Sequence, residues 1–290
     1  MISLPKHLAL ALSVTFLAFS PVAQAATLGQ KAGLDRAHDP LSLNSSVALV
    51  ADADSHEVLY AKNPHAVLPI ASITKLMTVV VTLEANLDLD ERIRITSEDI
   101  DTYKNTHSRL RPGQEFSRRE LIHLALMASE NRAASALGRS YPGGMEACVA
   151  QMNKRSRQLG MTSTNFEEST GLSVNNRSSA NDLARMVMHA QRFNLIRQFS
   201  TDPEAQVQSA SGTVFNFRNT NRLVRAGDWD IALQKTGFIN EAGRCLVMQA
   251  KVGERNLVIV LLDALGSAAR FKDAERIRRF VSPVSDQRIR

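Results

Sequence analysis

Three short residue sets in this chain have the types and the order that acyl transfer needs. Ser72-Ile-Thr-Lys75 puts a hydroxyl and an amine three positions apart. On a helix that spacing sets both on one face, with about 4.5 Å of axial rise between them. Serine is a poor nucleophile until a base removes its proton. Lysine can be that base only when neutral, which needs burial or a nearby cation. Lys235 is the cation the sequence offers. Ser129-Glu-Asn131 supplies a hydroxyl to relay a proton to a leaving amine and an amide to hold a substrate backbone. Lys235-Thr236-Gly237 supplies an ammonium and a hydroxyl for a carboxylate. Its glycine clears space where substrate approaches a strand. The backbone N–H groups of Ser72 and Phe238 are the candidate oxyanion donors.

Taken singly, each set is weak. A chain this long shows roughly one S-x-x-K by chance, and Ser3-Leu-Pro-Lys6 is a second copy. S-x-N also begins at Ser42, Ser163, Ser173 and Ser179. K-T-G occurs once, where about 0.1 copies are expected. Alone, the three read equally well as a polar helix start, a helix cap and a turn. Order and setting carry the inference. Leu68-Pro-Ile-Ala and Leu76-Met-Thr-Val-Val flank the first set with apolar residues.

The elements that must position these residues follow from the hydrophobic pattern. Ser46–Asp52 and Glu57–Ala61 flank Asp54-Ser-His56 as a β-hairpin. A long helical pattern runs from Ser72 to Leu87. Residues 90–116 read as strand and loop, with a turn at Pro112-Gly113. Ser117-Arg-Arg-Glu120 is a capping box opening a helix through Met127. Helices follow at Asn131–Ser140 and Met145–Leu159, and Ser179-Ala-Asn-Asp182 opens another. Ser129 and Asn131 thus fall at a helix–helix junction. Ser211–Phe217, Trp229–Thr236, Arg244–Val252 and Asn256–Asp263 read as strands, and a last helix covers about Ala268–Phe280. Strands at both ends can close one antiparallel sheet around a helical middle. The expected class is α/β (α+β), an antiparallel sheet with flanking helices plus a helical subdomain.

The N-terminus reads as a secretory signal peptide, residues 1–25. Lys6 and His7 precede the apolar run Leu8–Phe19, and Ala23-Gln-Ala25 is a small-x-small cleavage site. Residues 26–44 read as an irregular leader, 45–282 as the catalytic domain and 283–290 as a basic tail. No later stretch is apolar for about 18 residues, so no transmembrane segment is expected in the mature chain. The formal net charge is +6. Export argues against nucleic acid as the partner of that charge. It leaves anionic cell-wall material or simple solvation. Cys148 falls in a helical pattern and Cys245 in a strand-like one. Export permits a bridge, but both patterns are those of core packing. The seven histidines show no H-E-x-x-H or other metal-ligand spacing. No metal or organic cofactor is implied.

Longer stretches carry a family resemblance. Pro69–Met77, Leu126–Ala134 and Lys235–Phe238 resemble the low-molecular-mass penicillin-binding proteins. Gly160–Phe166, Thr170-Gly-Leu172, Arg218–Asn221 and Ala242–Met248 extend the likeness over about residues 45–282. The fuller pattern is most similar to the D-alanyl-D-alanine endopeptidase branch, the penicillin-binding protein 7/8 type. The resemblance implies a serine β-lactamase/D,D-peptidase-like fold and action on peptidoglycan stem peptides in the periplasm. It implies Ser72 as nucleophile, Lys75 as base and Ser129 as proton relay. It gives Asn131, Lys235, Thr236, Gly237 and Phe238 to substrate binding. It also implies acylation by β-lactam antibiotics. Glu130 departs from the small or apolar residue that many carboxypeptidases carry there. The β-rich domain and amphipathic helix that follow the catalytic domain in the carboxypeptidase branch have no counterpart in the sequence. No E-x-x-x-N motif of class A β-lactamases appears near Phe166-Glu-Glu-Ser169. The expected activity is hydrolysis of D-alanyl cross-links. The alternatives are a D-alanyl-D-alanine carboxypeptidase, a β-lactamase and, outside enzymes, a wall-binding module.

Overall fold

The computed structural model describes residues 26–282. The expected signal peptide and the basic tail lie outside the described residues. Nine helices are seen among them: α1 (Leu28–Lys31), α2 (Thr74–Glu84), α3 (Arg118–Met127), α4 (Asn131–Arg139), α5 (Gly144–Gln158), α6 (Ala180–Ala190), α7 (Asn194–Thr201), α8 (Arg222–Ala226) and α9 (Ala269–Val281). Five strands form the main sheet. In chain order they are β1 (Ser45–Asp52), β2 (Val58–Lys62), β9 (Asp230–Ile239), β10 (Gly243–Val252) and β11 (Arg255–Ala264). The short strands between β2 and β9 are β3 (Leu68–Pro69), β4 (Arg92–Arg94), β5 (Glu115–Ser117), β6 (Arg177–Ser178), β7 (Glu204–Gln208) and β8 (Val214–Arg218). They pair two by two outside the main sheet.

The main sheet has the order β2-β1-β11-β10-β9 and is antiparallel throughout. The first two and the last three strands therefore meet in one sheet, as the sequence pattern requires. Its central strands are apolar at nearly every position because both faces are covered. On β11, Val258, Val260 and Leu262 face one core while Leu257, Ile259 and Leu261 face the other. The first core joins the sheet to the helical middle. The second lies under α9, which buries Phe271, Ala274 and Ile277 at spacings of three. Within the helical layer, packed against α3, α4, α5 and α6, runs α2, whose residues Thr74–Thr82 are all buried. Cys148 and Cys245 are free and buried.

Several expected boundaries move. The helix expected from Ser72 begins as a 3-10 turn, Ala71–Ile73, and α2 stops at Glu84. Asn86, with φ +50°, turns the chain away. Residues 26–44 hold α1 and a second 3-10 turn. A Thr27–Gln30 capping box starts α1, and the Leu28 N–H donates to the Glu241 carbonyl. The strand expected at Ser211–Phe217 begins at Val214, because Ser211-Gly212 makes the turn to β7. β7 itself was not expected: Glu204-Ala-Gln-Val-Gln208 is mostly polar and exposed. β9 runs on to Ile239, so all of Lys235–Phe238 lies within a strand. β9 also ends the sheet order, so one of its edges has no strand partner among the described residues.

Candidate active site

Ser72 sits where the 3-10 turn meets α2, and Lys75 lies in the first turn of α2. Ala71 before it has φ +48°, rare for a residue with a Cβ. Gly171 makes room for that turn. A Cβ there would stand 2.0 Å from the Ala71 carbonyl oxygen. Gly237 approaches from β9. Its Cβ would stand 2.9 Å from the Ile70 carbonyl and 3.1 Å from the Ser72 nitrogen. Strand and turn can lie this close only with glycine at the third position of K-T-G.

Lys75 is fully buried. Its Nζ lies 2.8 Å from Ser72 Oγ, 2.7 Å from Asn131 Oδ1 and 2.6 Å from the Thr170 carbonyl oxygen. A neutral amine has two N–H bonds and one lone pair. Asn131 and Thr170 offer only acceptors, so they take the two N–H bonds. The lone pair is left for the Ser72 hydroxyl. Burial pulls Lys75 down to about 8, against the opposing fields of Glu168, Glu130 and Asp101. The field of Lys235 was the other cause expected from the sequence, and here burial alone does it. The repulsion between the two lysines falls on Lys235. Burial first, then Lys75 and Arg270, hold it well below the ordinary lysine range.

Lys235 Nζ donates to Ser129 Oγ and to the Thr236 carbonyl, both at 2.8 Å. Ser129, in the turn between α3 and α4, takes φ +58°. Asn131 opens α4 and donates from Nδ2 to Thr106 Oγ1 at 2.8 Å. Its amide is thus engaged at both ends within the protein. The Thr220 and Thr236 hydroxyls stand 2.6 Å apart.

All eight sequence-predicted residues converge. Ser72, Ser129, Asn131, Thr236, Gly237 and Phe238 line an open cleft of about 380 Å³. Lys75 and Lys235 are buried behind it. The cleft adds residues that the sequence did not single out, among them Thr106, Thr220, Arg244 and Arg270. Arg270 is only 6% exposed, and its Nε and Nη1 have no hydrogen-bond partner among the described residues. Burial, with Arg244 adding, pulls its pKa down to about 10. A buried cation without an anion, facing a cleft, is a place for an anion. An arginine on an amphipathic helix reads in sequence as solvated, so no local signal marked it. Thr170 was also missed in this role, because a backbone carbonyl carries no sequence signal. Glu168 holds that carbonyl in place by accepting from the Thr170 and Gly171 N–H groups and from Asn176 Nδ2.

The arrangement sets a serine hydroxyl beside one buried lysine, a second hydroxyl beside another, and an unpartnered guanidinium from α9 at the same cleft. A family model described as D-alanyl-D-alanine carboxypeptidase, peptidase S11, matches residues 34–266. The D-alanyl-D-alanine endopeptidase of Pseudomonas aeruginosa is 44% identical over 94% of this chain and 87% of its own. That of Escherichia coli K12 is 42% identical over 94% and 86%. The crystal structure of the Streptomyces K15 DD-transpeptidase superposes with a TM-score of 0.77. It covers 82% of this chain and 97% of its own at 24% identity, and so speaks to the fold.

Proposed function

Because this chain belongs to the peptidase S11 family of D-alanyl-D-alanine carboxypeptidases, we propose that it is a periplasmic serine D,D-endopeptidase. It hydrolyses D-alanyl cross-links between peptidoglycan stem peptides through an acyl-enzyme, and β-lactams acylate the same serine. The observation that carries this reading is the buried Lys75 amine, 2.8 Å from Ser72 Oγ with its other two directions taken by acceptors.

The steps follow from the geometry. Substrate enters along the free edge of β9, where an extended peptide can pair with strand N–H and C=O groups. Its D-centre carboxylate meets the Thr236 hydroxyl and the unpartnered Arg270 guanidinium. That anion raises the pKa of nearby Lys235 and so favours its ammonium form. Lys75 takes the Ser72 proton as Oγ attacks the D-alanyl carbonyl. The oxyanion forms between the N–H groups of Ser72 and Phe238. Ser129, held by Lys235, gives its proton to the leaving amine and takes in its place the one that Lys75 removed from Ser72, so Lys75 is neutral again. Water then attacks the ester, and Lys75 serves again as base.

The names of the two relatives support the endopeptidase reading. The description of the family model favours a second one, a carboxypeptidase releasing terminal D-Ala. Two digests separate them. Residues 26–290 should convert cross-linked muropeptide dimers to monomers faster than they release D-Ala from monomeric pentapeptide. Ser72→Ala should do neither and should take no penicillin label. Intact dimers beside trimmed pentapeptide would replace the first reading with the second. Labelling of Ser72→Ala would remove both.

A further inference from the structure

The exposed aromatic ring at the cleft mouth has no part in the steps above. We propose that the Phe238 side chain, held by Arg244, is a subsite for the side chain of the leaving amino acid. This rests on the D,D-peptidase reading and specifies what that site selects.

The placement follows from strand alternation. Side chains two apart on β9 share a face. Gly237 pairs with Cys245, which packs in the core shared with the helical layer. Thr236 pairs with Leu246, in the core under α9. Phe238 pairs with Arg244 and so shares the face of Thr236. Arg270 belongs to α9 and lines the cleft from that same side. The carboxylate pocket and the Phe238 ring therefore stand together, on the leaving-group side of the scissile bond. Phe238 is 40% exposed, and the Arg244 guanidinium carbon lies 4.3 Å from its ring centroid. The stacked cation fixes the ring.

The chemistry of the leaving group gives this ring a use. A terminal D-Ala carries one methyl group, too short to extend past its own carboxylate. The leaving residue of a cross-link is a diamino acid joined through its distal amine. At its D-centre it carries a carboxylate and a linear run of methylenes. With the carboxylate at Thr236 and Arg270, that run lies across Phe238. Methylenes moved from water onto an apolar face favour the complex, so the ring favours a long leaving group over alanine.

The test uses two synthetic substrates, acyl-D-Ala-D-norleucine and acyl-D-Ala-D-alanine, and the ratio of their kcat/KM values. A ratio taken on one enzyme cancels any general loss of acylation. Wild type should prefer norleucine by about tenfold, the worth of one to two buried methylenes. The ratio should fall stepwise in Phe238→Leu and Phe238→Ala, approaching one in the latter. A wild-type ratio near one overturns the proposal. So does a ratio kept at the wild-type value in both variants. The endopeptidase reading fails separately, through dimers left intact, whatever the ratio.

Discussion

At the residue scale, the site turns on how readily Lys75 gives up its proton. Burial removes the water that would stabilise its ammonium form, and two acceptors orient what remains. Only the unprotonated fraction of Lys75 is a base. With its pKa at about 8, that fraction grows as pH rises through about 8 and then levels off. The second-order rate of penicillin acylation should follow the same curve in stopped-flow measurements. A flat profile from pH 6 to 9 would count against Lys75. Lys75→Arg keeps a cation in place but cannot give up its proton. It should acylate about 10²–10⁴-fold more slowly. Near wild-type acylation in that variant would refute the assignment.

At the element scale, three contacts tie the 101–110 loop to the second motif. The Ser108 hydroxyl donates to the Glu130 carboxylate, Asn131 to Thr106, and Arg132 to the Leu110 carbonyl. Burial raises the pKa of Glu130. Its place in the middle of S-x-N is thus a clasp that sets Ser129 and Asn131 on either side. Glu130→Ala leaves the Ser108 hydroxyl only its long contact of 3.5 Å to the Leu110 carbonyl, a loss of about 1 kcal/mol. It should lower Tm and slow acylation about tenfold, and Glu130→Gln should recover most of both. An alanine variant with wild-type acylation would show the clasp to be idle. The sequence marked Glu130 as a departure but could not say what it touched. The same limit holds across the molecule. Local periodicity revealed the hairpin, the helical middle and the long strands, because each buries apolar residues at a regular spacing. The polar strand β7 has no such pattern. The 3-10 start at Ala71 also escaped, since it is imposed by the fit of Gly171 and Gly237 around the turn. The motifs showed which residues meet. Arg270 and the Thr170 carbonyl became visible only when distant segments were brought together.

At the scale of the whole molecule, the site sets buried cations at the seam between sheet and helical layer. Lys75 and Lys235 are fully buried, and Arg270 nearly so. Buried cations without close carboxylates oppose folding, so the fold keeps them at a cost in stability. Lys75 allows that cost to be measured. Unfolded, a lysine holds its proton up to about 10.5; folded, Lys75 releases it at about 8. Below pH 8 both states are protonated and the folded state bears the whole penalty, on the order of 3 kcal/mol. Between about 8 and 10.5 the unfolded state binds more protons, so stability gains with each rise in pH. Above that window the penalty is gone. Lys75→Met removes the titration along with the base. The Tm of the variant minus that of wild type should therefore be most favourable to the variant at pH 7. It should then decline steadily toward pH 10. Titrations of the buried Cys148 and Cys245 thiols, whose pKa values burial pushes up to about 12, occur in both proteins and cancel in the difference. Differential scanning calorimetry in matched buffers measures it. A difference that stays constant from pH 7 to 10 would mean that Lys75 folds with an unshifted pKa. The lysine would then be no base at neutral pH, and the proton path from Ser72 would have to run elsewhere.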